Sequence, residues 1–324
     1  MKVLVTGAGG FIGAHVIALL HRQRHVGGRR IAALAAVDQR LGALPAGVVA
    51  LQGDLGSDEV LSRIAAFAPD CCFHLAAVPG GAAEADPALS RRVNLEATLD
   101  LFDTLATAGA GGPAPVVVYA STIAVYGSPL PQTVTPHTPL RPPLVYGAHK
   151  LACEVLLADF SRRGRLDGRA LRLPGIVARP RTPSGLVSAF MSELLHALAA
   201  REPITLPVGP EATAWWMSAR RCAWNLVHAA TMPVGDDPAR AWPLPVLRLS
   251  MDEVVQALSA EFGVDGRALV GHAPRSDVEA VFGRYPPLDD RIPRALGLRD
   301  DGDARALVRR ALAPADAPGD DDNL

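Results

Sequence analysis

The chain has almost no excess of charge of either sign. Its 324 residues include 32 basic and 33 acidic side chains, which gives a formal net charge of −1. Proteins that bind nucleic acid or an anionic membrane usually carry a marked excess of lysine and arginine. The composition therefore argues against both partners and favours small-molecule chemistry.

Long apolar runs are also missing. No apolar stretch approaches the ~20 residues that a helix needs to cross a bilayer. The first residues, MKVLVTGAGG, become glycine-rich too early for a signal peptide. We therefore expect a cytoplasmic protein that does not associate with membranes.

Cysteine is scarce and is not arranged for metal binding. The four cysteines, Cys71, Cys72, Cys153 and Cys222, form neither a CxxC pair nor a cluster with histidine. Thiols in this arrangement are typical of reduced, buried structural residues. We expect no disulfide framework and no metal site.

The first half of the chain alternates short apolar runs with longer helical patterns. Such alternation is typical of a parallel sheet covered by helices on both faces, and 49% hydrophobic residues are enough for a substantial core. We predict an α/β fold, in which a doubly wound Rossmann sheet precedes a smaller C-terminal α/β substrate domain. The predicted strands are Lys2 to Val5, Ile31 to Val37, Val48 to Leu51, Cys71 to Ala76, Val116 to Tyr119 and Ala170 to Leu173.

Beyond Pro180 the pattern changes. The segments GLVSAFMSELLHALAA and RRCAWNLVHAA predict helices, and a strand is expected at Ile204 to Pro207. Ser250 and Glu253 have the spacing of a capping box and predict the start of another helix.

These patterns suggest two domains and a tail. We assign residues 1–178 to the Rossmann domain, with residues 214–250 returning to it, and residues 179–213 and 251–313 to the substrate domain. The acidic end, residues 314–324, lacks apolar spacing and predicts a disordered tail.

The motif VLVTGAGGFIG places Gly7, Gly10 and Gly13 between the first strand and the first helix. Glycines there permit a tight turn and a close approach of the backbone to a pyrophosphate, whose charge lies at the helix N-terminus. We predict a dinucleotide site that includes Phe11 and Ile12. The alternative is a glycine-rich turn that only packs the helix on the strand.

Acidic residues follow the second and third strands. Asp38 can accept both hydroxyls of a ribose and would repel a 2′-phosphate, which favours NAD over NADP. Arg40 could instead hold such a phosphate or be a solvated surface charge. Asp54 and Leu55 are placed to contact the adenine, unless Asp54 is only a helix cap.

Tyr146 and Lys150 stand four residues apart in YGAHK and therefore share a helix face. A phenol with a pKa of about 10 is a poor base at neutral pH, and a nearby ammonium group favours its phenolate. The segment YASTIAVYG supplies the hydroxyls of Ser121 and Thr122 for the reacting oxygen. Together these residues predict a catalytic site, whereas the tyrosine and lysine alone could be an ordinary exposed pair.

Other polar and aromatic residues near these motifs have simpler interpretations. His149 lies on another helix face and is expected at the surface or an interface. His74 lies within an apolar strand and is expected to be a hydrogen-bonded core residue. Trp215 and Trp216 are expected to pack in the interior, with a wall of the substrate pocket as the alternative.

The order of the motifs identifies a family resemblance. The glycine loop is followed by Asp38, Asp54, HLAA, Asn94, STIAVYG and YGAHK. In this combination the chain resembles, over nearly its whole length, the extended short-chain dehydrogenase/reductases, the NAD-dependent epimerase/dehydratase group. The resemblance implies a Rossmann enzyme that uses NAD.

The resemblance also implies roles for the catalytic residues. Thr122 would be the catalytic hydroxyl, with Ser121 beside it, and Tyr146 would be the acid/base. Lys150 would hold the nicotinamide ribose. Family members often form dimers through a helix pair, which here would include the helix that carries Tyr146.

Further positions correspond to the cofactor-lining residues of the family. Asn94, Ala76 and Ala77 would line the cofactor, and Pro174 and Ile176 would lie under the nicotinamide.

Two departures bear on the substrate. Family members that act on nucleotide sugars usually carry an asparagine after the sixth strand, where this chain has Gly175. They also tend to carry an arginine for the diphosphate, near the position of Ala214 here. Arg220 or Arg221 could substitute for that arginine if the alignment is displaced.

Within the family, several segments look like a subgroup of NAD-dependent dehydrogenases that oxidise C2 of the four-carbon sugar acid D-erythronate. These segments include FHLAAVPGGAAEADPALSRRVNLEAT and LPVGPEATAWWMSARR. The subgroup has RPGKPN where this chain has RPRTPS, which leaves the identity of the acid open. A carboxylate beside the reacting carbon needs a cation, and Arg179, Arg181 and Ser184 are the candidates, with Gly175 beside them.

We therefore carry three functional hypotheses. The preferred one is a sugar-acid dehydrogenase that releases NADH. The second is a nucleotide-sugar epimerase or dehydratase that keeps its NAD bound through each turnover. The third is a non-catalytic NAD-binding protein, against which the presence of Thr122, Tyr146 and Lys150 argues.

Overall fold

A computed structural model describes residues 1–181, 187–235 and 237–317. Its strands are β1 (Lys2–Thr6), β2 (His25–Val26), β3 (Arg29–Arg30), β4 (Ala33–Asp38), β5 (Val48–Gln52), β6 (Cys71–His74), β7 (Val116–Thr122), β8 (Asp167–Leu173), β9 (Gly175–Val177), β10 (Ile204–Leu206), β11 (Thr213–Ser218), β12 (Ala241–Pro243), β13 (Leu247–Ser250) and β14 (Val270–His272).

The helices are α1 (Phe11–Gln23), α2 (Asp58–Phe67), α3 (Gly80–Ala85), α4 (Pro87–Ser90), α5 (Ala97–Ala108), α6 (Val145–Arg162), α7 (Ala189–Ala199), α8 (Ala219–Ala229), α9 (Met251–Phe262), α10 (Gly266–Leu269), α11 (Ser276–Phe282), α12 (Arg291–Ala295) and α13 (Ala304–Leu312). A π-helical turn covers Arg91–Glu96, and a 3₁₀ turn covers Ile123–Tyr126.

The large sheet has the strand order β12-β8-β7-β6-β1-β4-β5, and each neighbouring pair is parallel. The chain runs outward from β1 through β4 to β5 and then crosses back to β6 on the other side of β1. The order therefore reverses between β1 and β6, which is where doubly wound sheets bind their ligands. The predicted doubly wound parallel sheet is confirmed.

Apolar residues on both faces of this sheet explain its layers. Helices α1 and α8 cover one face, where Val3, Val5 and Phe73 are buried. Helices α2, α5 and α6 cover the other face, where Leu4 and Cys72 are buried. The alternation of Val3, Leu4 and Val5 between the two cores is what a central strand requires.

The chain leaves the large sheet at Pro174. Leu173 still pairs with Thr122 on β7, whereas Gly175 pairs with Trp216 in a second sheet of order β13-β11-β9. Proline has no N–H to donate, so a strand ladder readily ends there. This change of sheet places Pro174 and Gly175 at the carboxyl ends of both β7 and β8.

A separate core lies at the C-terminal side of the chain. It packs α7, α9 and α13 against β11 and includes Leu194, Trp216 and Leu258. Strands β10 and β14 form a parallel pair beside it. This region corresponds to the smaller domain that the sequence predicts.

Most of the predicted elements are confirmed. The six predicted strands are β1, β4, β5, β6, β7 and β8, and β7 continues to Thr122. The capping box of Ser250 and Glu253 opens α9. The helix expected from Gly185 begins at Ala189, and Gly185 itself lies outside the described residues.

The domain boundaries stay predictions. Within residues 214–250, α8 packs on α1 and β12 joins the large sheet, whereas β11 and β13 belong to the second sheet. At the predicted tail, Arg220 donates hydrogen bonds to the carbonyl oxygens of Pro314 and Ala317. Residues 318–324 lie outside the described residues.

In the described part of the chain, no helix has the length and apolar character needed to span a bilayer. The four cysteines are buried and form no disulfide, as predicted.

The capping box gives a stability prediction. The Ser250 hydroxyl accepts the Glu253 N–H at 3.1 Å, and the Glu253 carboxylate accepts the Ser250 N–H at 2.7 Å. We expect Ser250→Ala to lower the unfolding free energy by about 1 kcal/mol, measured in urea, because the variant leaves the Glu253 N–H without the hydroxyl that caps it. Ser276→Ala is the control, since no side chain caps α11, and an equal loss in both variants would contradict the prediction.

Candidate active site

Three connected cavities lie at the switch point of the large sheet. The central cavity, of about 310 Å³, is lined by Gly10, Thr122 and Tyr146 among others. The outer cavity, of about 300 Å³, shares Gly7 and Gly10 with it. The distal cavity, of about 440 Å³, shares Thr122 and Gly175 with the central one. The three therefore form a continuous groove with the catalytic candidates in its middle.

The glycine loop lies between the central and outer cavities and lines both of them. Gly7 has a φ of 69°, and a Cβ there would lie 2.6 Å from the backbone N of Ala76. A Cβ on Gly13 would lie 2.1 Å from the Gly7 carbonyl oxygen. Both positions therefore require glycine, and they bring α1 close to β1.

The N-terminus of α1 is open toward these cavities. Its N-cap is Gly10, which offers no side chain to the first N–H groups, and Phe11, Ile12 and Gly13 line the central cavity. The first turn of a helix has unsatisfied N–H groups and a positive dipole end. This arrangement fits a pyrophosphate.

Asp38, Asp54 and Leu55 line the outer cavity, together with Arg40. The Asp38 carboxylate accepts the Gly9 N–H at 3.0 Å and the Arg40 N–H at 3.2 Å. These contacts hold it at the carboxyl end of β4, where it can still accept ribose hydroxyls. The adenosine end predicted from the sequence therefore comes together as one cavity.

Asn94 lines none of the three cavities, and its predicted place beside the cofactor stays a prediction. It is 1% exposed, and its side-chain amide forms hydrogen bonds of 2.7 and 3.0 Å with the backbone of Val78. It lies in a π-helical turn, a feature often found near functional sites. Asn94 acts indirectly, because it holds the loop in which Ala76 and Ala77 line the outer cavity.

Tyr146 is positioned by the start of α6. The helix lacks a side-chain N-cap of its own, and the Glu84 carboxylate accepts the Val145 N–H at 2.6 Å instead. A Cβ on Gly147 would lie 2.7 Å from the Ala124 carbonyl oxygen, so only glycine allows this close approach of α6 to the 3₁₀ turn. Tyr146 thereby lines the central cavity together with Thr122, whose side chain lowers the pKa of the phenol.

The two candidate hydroxyls have different surroundings. Thr122 is 9% exposed and lines both the central and the distal cavity. Ser121 also lines the central cavity, but its hydroxyl donates to the buried carboxylate of Glu154. Thr122 is therefore the hydroxyl available to a substrate oxygen, and Ser121 belongs to a structural network.

Lys150 is 2% exposed and lies one helical turn after Tyr146. Its ammonium group donates to the Ala120 carbonyl oxygen at 2.8 Å and lies 4.6 Å from the centre of the Tyr119 ring. Burial lowers the pKa of Lys150 to about 8. The group still lines the central cavity, where it can donate to a ribose hydroxyl.

Arg179 is a cation whose charge lowers the pKa of the Tyr146 phenol. Burial raises the pKa of Tyr146, and the positive charge of Arg179 and the hydrogen bond from Thr122 oppose that rise. Lys150 lies 5.8 Å from the Tyr146 ring centre and is held by Ala120. The effect of Lys150 on the phenol, which the sequence predicts, stays a prediction.

The paired arginines of the ARPRTPSG segment separate in the structure. Arg179 lines the central cavity and lies 5.7 Å from the centre of the Phe11 ring. Arg181 lies 2.8 Å from both the Glu193 and Glu202 carboxylates and lines none of the three cavities. The expectation that Arg181 contacts a substrate is therefore wrong, because two surface carboxylates bind it. Ser184 lies outside the described residues.

Pro174, Gly175 and Ile176 lie between the central cavity and the second sheet, and all three line the central cavity. A Cβ on Gly175 would lie 2.8 Å from the Trp215 carbonyl oxygen and 3.1 Å from the Met191 side chain. A larger side chain at this position would require the strand pairing of β9 and β11 to shift.

The alternative arginines do not reach the groove. Arg220 binds carbonyl oxygens near residues 314–317, and Arg221 is buried against the Trp224 ring at 5.3 Å. Neither lines one of the three cavities. The possibility that one of them replaces the diphosphate arginine is not supported.

The remaining predictions for individual side chains are met. His74 is fully buried between the hydroxyls of Thr6 and Thr98, at 2.6 and 2.9 Å, and burial lowers its pKa to about 3. His149 contacts the Ser90 hydroxyl at 3.0 Å, away from the cavities. Trp215 and Trp216 are buried, and Trp215 is also a wall of the distal cavity.

A buried network behind Thr122 is absent from the sequence interpretation. Arg172 on β8 forms an ion pair with Glu154 on α6 at 2.7 Å and donates to the Tyr126 hydroxyl at 3.3 Å. Two features of the sequence could have indicated this network. They are a charged residue within the apolar run ALRL and an acidic residue one helical turn after Lys150. Charges in such places usually have a partner.

The distal cavity adds residues that the sequence did not indicate. They come from the late part of the chain and from the start of α7, and include Ser188, Met191, Phe282, Arg284 and Tyr285. Among the described residues, no group of three or more histidine, cysteine or acidic side chains is placed to hold a metal ion.

The groove as a whole fits NAD. It offers an acidic ribose site, an open helix N-terminus for the pyrophosphate, and Lys150 and Tyr146 at the nicotinamide end. These are the positions at which a doubly wound sheet binds a dinucleotide.

Comparisons with known proteins agree with this geometry. Residues 3–242 match the model of the NAD-dependent epimerase/dehydratase family. The chain is 33% identical to D-erythronate dehydrogenase from Cupriavidus necator, over 97% of this chain and 99% of that protein. It is 29% identical to D-erythronate dehydrogenase from Haemophilus influenzae, over 96% of this chain and 99% of that protein.

A solved structure is similar over nearly the whole chain. It is described as the nucleoside-diphosphate-sugar epimerase from Agrobacterium tumefaciens, with a TM-score of 0.88 and 31% sequence identity. The match covers 95% of this chain and 92% of that one.

The buried Lys150 predicts a pH-dependent stability. Its pKa is about 8 in the folded protein and returns toward 10.5 on unfolding. Between these pH values the unfolded chain holds more protons, so the folded protein gains stability as the pH rises. We expect the unfolding free energy of the wild type, relative to Lys150→Met, to increase from pH 8 to pH 10.5 by up to about 3 kcal/mol.

Urea unfolding of both proteins across this pH range is the measurement. The Lys2→Met variant is the control, because the Lys2 ammonium is exposed and its removal should leave the pH dependence unchanged. A constant difference between the wild type and Lys150→Met would contradict the prediction.

Proposed function

The chain belongs to the NAD-dependent epimerase/dehydratase family. We propose that it is a dehydrogenase that oxidises the C2 hydroxyl of a small sugar acid. D-Erythronate, named in the two relatives at 33% and 29% identity, is the reference substrate. The proposal extends their activity to this chain because Thr122, Tyr146 and Lys150 line one cavity.

The observation that carries the proposal is the position of Arg179. Arg179 lines the same cavity as Tyr146, and its charge lowers the pKa of the Tyr146 phenol. In a 2-hydroxy acid, the carboxylate is attached to the carbon that is oxidised, so a cation beside the base can bind it. Arginine suits this task because its planar fork donates two parallel hydrogen bonds to a carboxylate.

The chain's own residues account for the proton transfer. Tyr146, as phenolate, removes the proton of the C2 hydroxyl, and Thr122 donates a hydrogen bond to that oxygen. Arg179 holds the carboxylate and favours the phenolate, because its charge opposes the effect of burial on the pKa of Tyr146. Lys150 is held at Ala120 and would bind the nicotinamide ribose. The chemistry that NAD would supply, when bound, is a hydride acceptor for C2.

The surroundings of Gly175 support a small substrate over a nucleotide sugar. The asparagine expected in nucleotide-sugar enzymes would place its Cβ 2.8 Å from the Trp215 carbonyl oxygen. Ala214, near the position of the expected diphosphate arginine, lines the distal cavity and offers no charge. An epimerase or dehydratase would hold its nucleotide sugar through that asparagine and that arginine, and this chain has neither residue at these positions.

Turnover with free NAD tests the proposal. We expect the purified protein to form NADH with D-erythronate or a related aldonate, followed by the near-ultraviolet absorbance of NADH. Tyr146→Phe should lower kcat by at least about 10²-fold, because it removes the general base. Retention of tightly bound NAD, with no NADH formed from any aldonate, would favour the epimerase or dehydratase alternative and contradict the proposal.

Arg179 gives a second test. We expect Arg179→Met to raise KM for the acid by about 10-fold or more and to shift the rise of kcat/KM to higher pH. The shift follows because Arg179 opposes the elevation of the pKa of Tyr146. Arg181→Met is the matched control, since Arg181 binds surface carboxylates, and equal effects of both substitutions would exclude the assigned role.

A homodimer and a cytoplasmic location complete the proposal. The expected dimer forms through α6, where Val155 is 64% exposed. An apolar side chain on that helix face suits a contact between two copies.

A further inference from the structure

The distal cavity is larger and more apolar than a four-carbon acid requires. Its volume is about 440 Å³, and cavities of this size normally enclose ligands well above four carbons. Its described walls are mostly apolar, including Ile123, Leu130, Leu144, Met191, Trp215 and Phe282. A substrate held at Thr122 can extend directly into it, because Thr122 lines both cavities.

Arg284 is the charged side chain among the described residues that line this cavity. Its backbone is fixed on both sides, since the Thr213 N–H donates to the Gly283 carbonyl at 3.0 Å and the Tyr285 N–H donates to the Thr213 carbonyl at 3.1 Å. Its guanidinium group, in contrast, has no hydrogen bond or ion pair with any residue that the structure describes.

Arg284 is exposed at the edge of the cavity, and none of the ion pairs among the described residues includes it. The carboxylates nearest to it along the chain have other partners, since Glu279 accepts the Gly209 N–H at 2.8 Å and Asp289 pairs with Arg291 at 2.7 Å. The guanidinium group is therefore open to an anion that enters the cavity. The phenol of Tyr285 also lines the cavity, and burial raises its pKa to about 12, which keeps it a neutral hydrogen-bond donor.

We propose that Arg284 binds a second anionic group at the far end of the substrate, so that the preferred substrate is a 2-hydroxy acid with two anionic ends. This inference rests on the proposed function, in which Arg179 holds the carboxylate beside the reacting carbon. Arg284 lies in a different cavity from Arg179 and donates a planar fork that suits either a carboxylate or a phosphate.

The experiment compares acids of equal length with one or two anionic ends. Calorimetry of the full-length protein with NAD measures Kd for aldonates, for the corresponding aldarates and for aldonates phosphorylated at the last carbon. We expect at least one of the two dianionic classes to bind about 10- to 100-fold more tightly than the aldonate. The class that binds more tightly identifies the anion as a carboxylate or a phosphate.

Variants then assign the preference to Arg284. Arg284→Gln should remove the preference for two anionic ends and leave the Kd of the aldonate unchanged, and Arg284→Lys should restore part of it. Arg275→Gln removes the same charge from an exposed arginine that pairs with Asp277 at 2.6 Å. This control should behave as the wild type.

Two outcomes would overturn the inference. One is a wild type that binds aldonates and both dianionic classes equally. The other is an equal loss of affinity in Arg284→Gln and Arg275→Gln. Failure of the proposed function is recognised separately, as absence of NADH formation with every acid, because the Kd comparison does not depend on turnover.

Discussion

The buried ion pair between Glu154 and Arg172 is the contact on which the catalytic half of the site depends. It joins α6 to β8, and through Ser121 and Tyr126 it reaches the end of β7 and the 3₁₀ turn. A buried charge that loses its partner costs several kcal/mol, so these elements are confined to the register in which the contacts form. Thr122 and Tyr146 belong to the same elements, and their separation is set by that register.

Three cations that line the central and distal cavities differ in their freedom to meet a ligand. Lys150 donates a hydrogen bond to the Ala120 carbonyl oxygen. Burial lowers its pKa, so its charged form is less favoured than that of an exposed lysine. Arg179 donates to the Ile176 carbonyl at 3.3 Å, and its charge lowers the pKa of the Tyr146 phenol. Arg284 has a fixed backbone and a guanidinium group without a described partner. The cationic groups therefore have fewer fixed contacts with the protein from the cofactor end of the groove toward its far wall.

The sequence predicted those features that local geometry determines. Tyr146 and Lys150 were found because a spacing of four fixes a shared helix face, and the glycine loop because a tight turn after a strand restricts side chains. The pairing of Glu154 with Arg172 has no local pattern, since it depends on how a helix packs on a strand. Arg179 and Arg181 lie on an irregular segment, where spacing does not reveal which side chain points inward.

The separation of the cavities also bears on how enzymes of this kind can diversify. The residues of the central cavity are tied to the large sheet, to α6 and to one another, so most changes there would disturb the chemistry. The far wall of the distal cavity comes from side chains of residues 280–285, and its backbone is held at β11 through Gly283 and Tyr285. Side chains on this wall can change without moving Thr122, Tyr146 or Lys150, so a lineage can acquire a new substrate there while its catalytic apparatus stays unchanged.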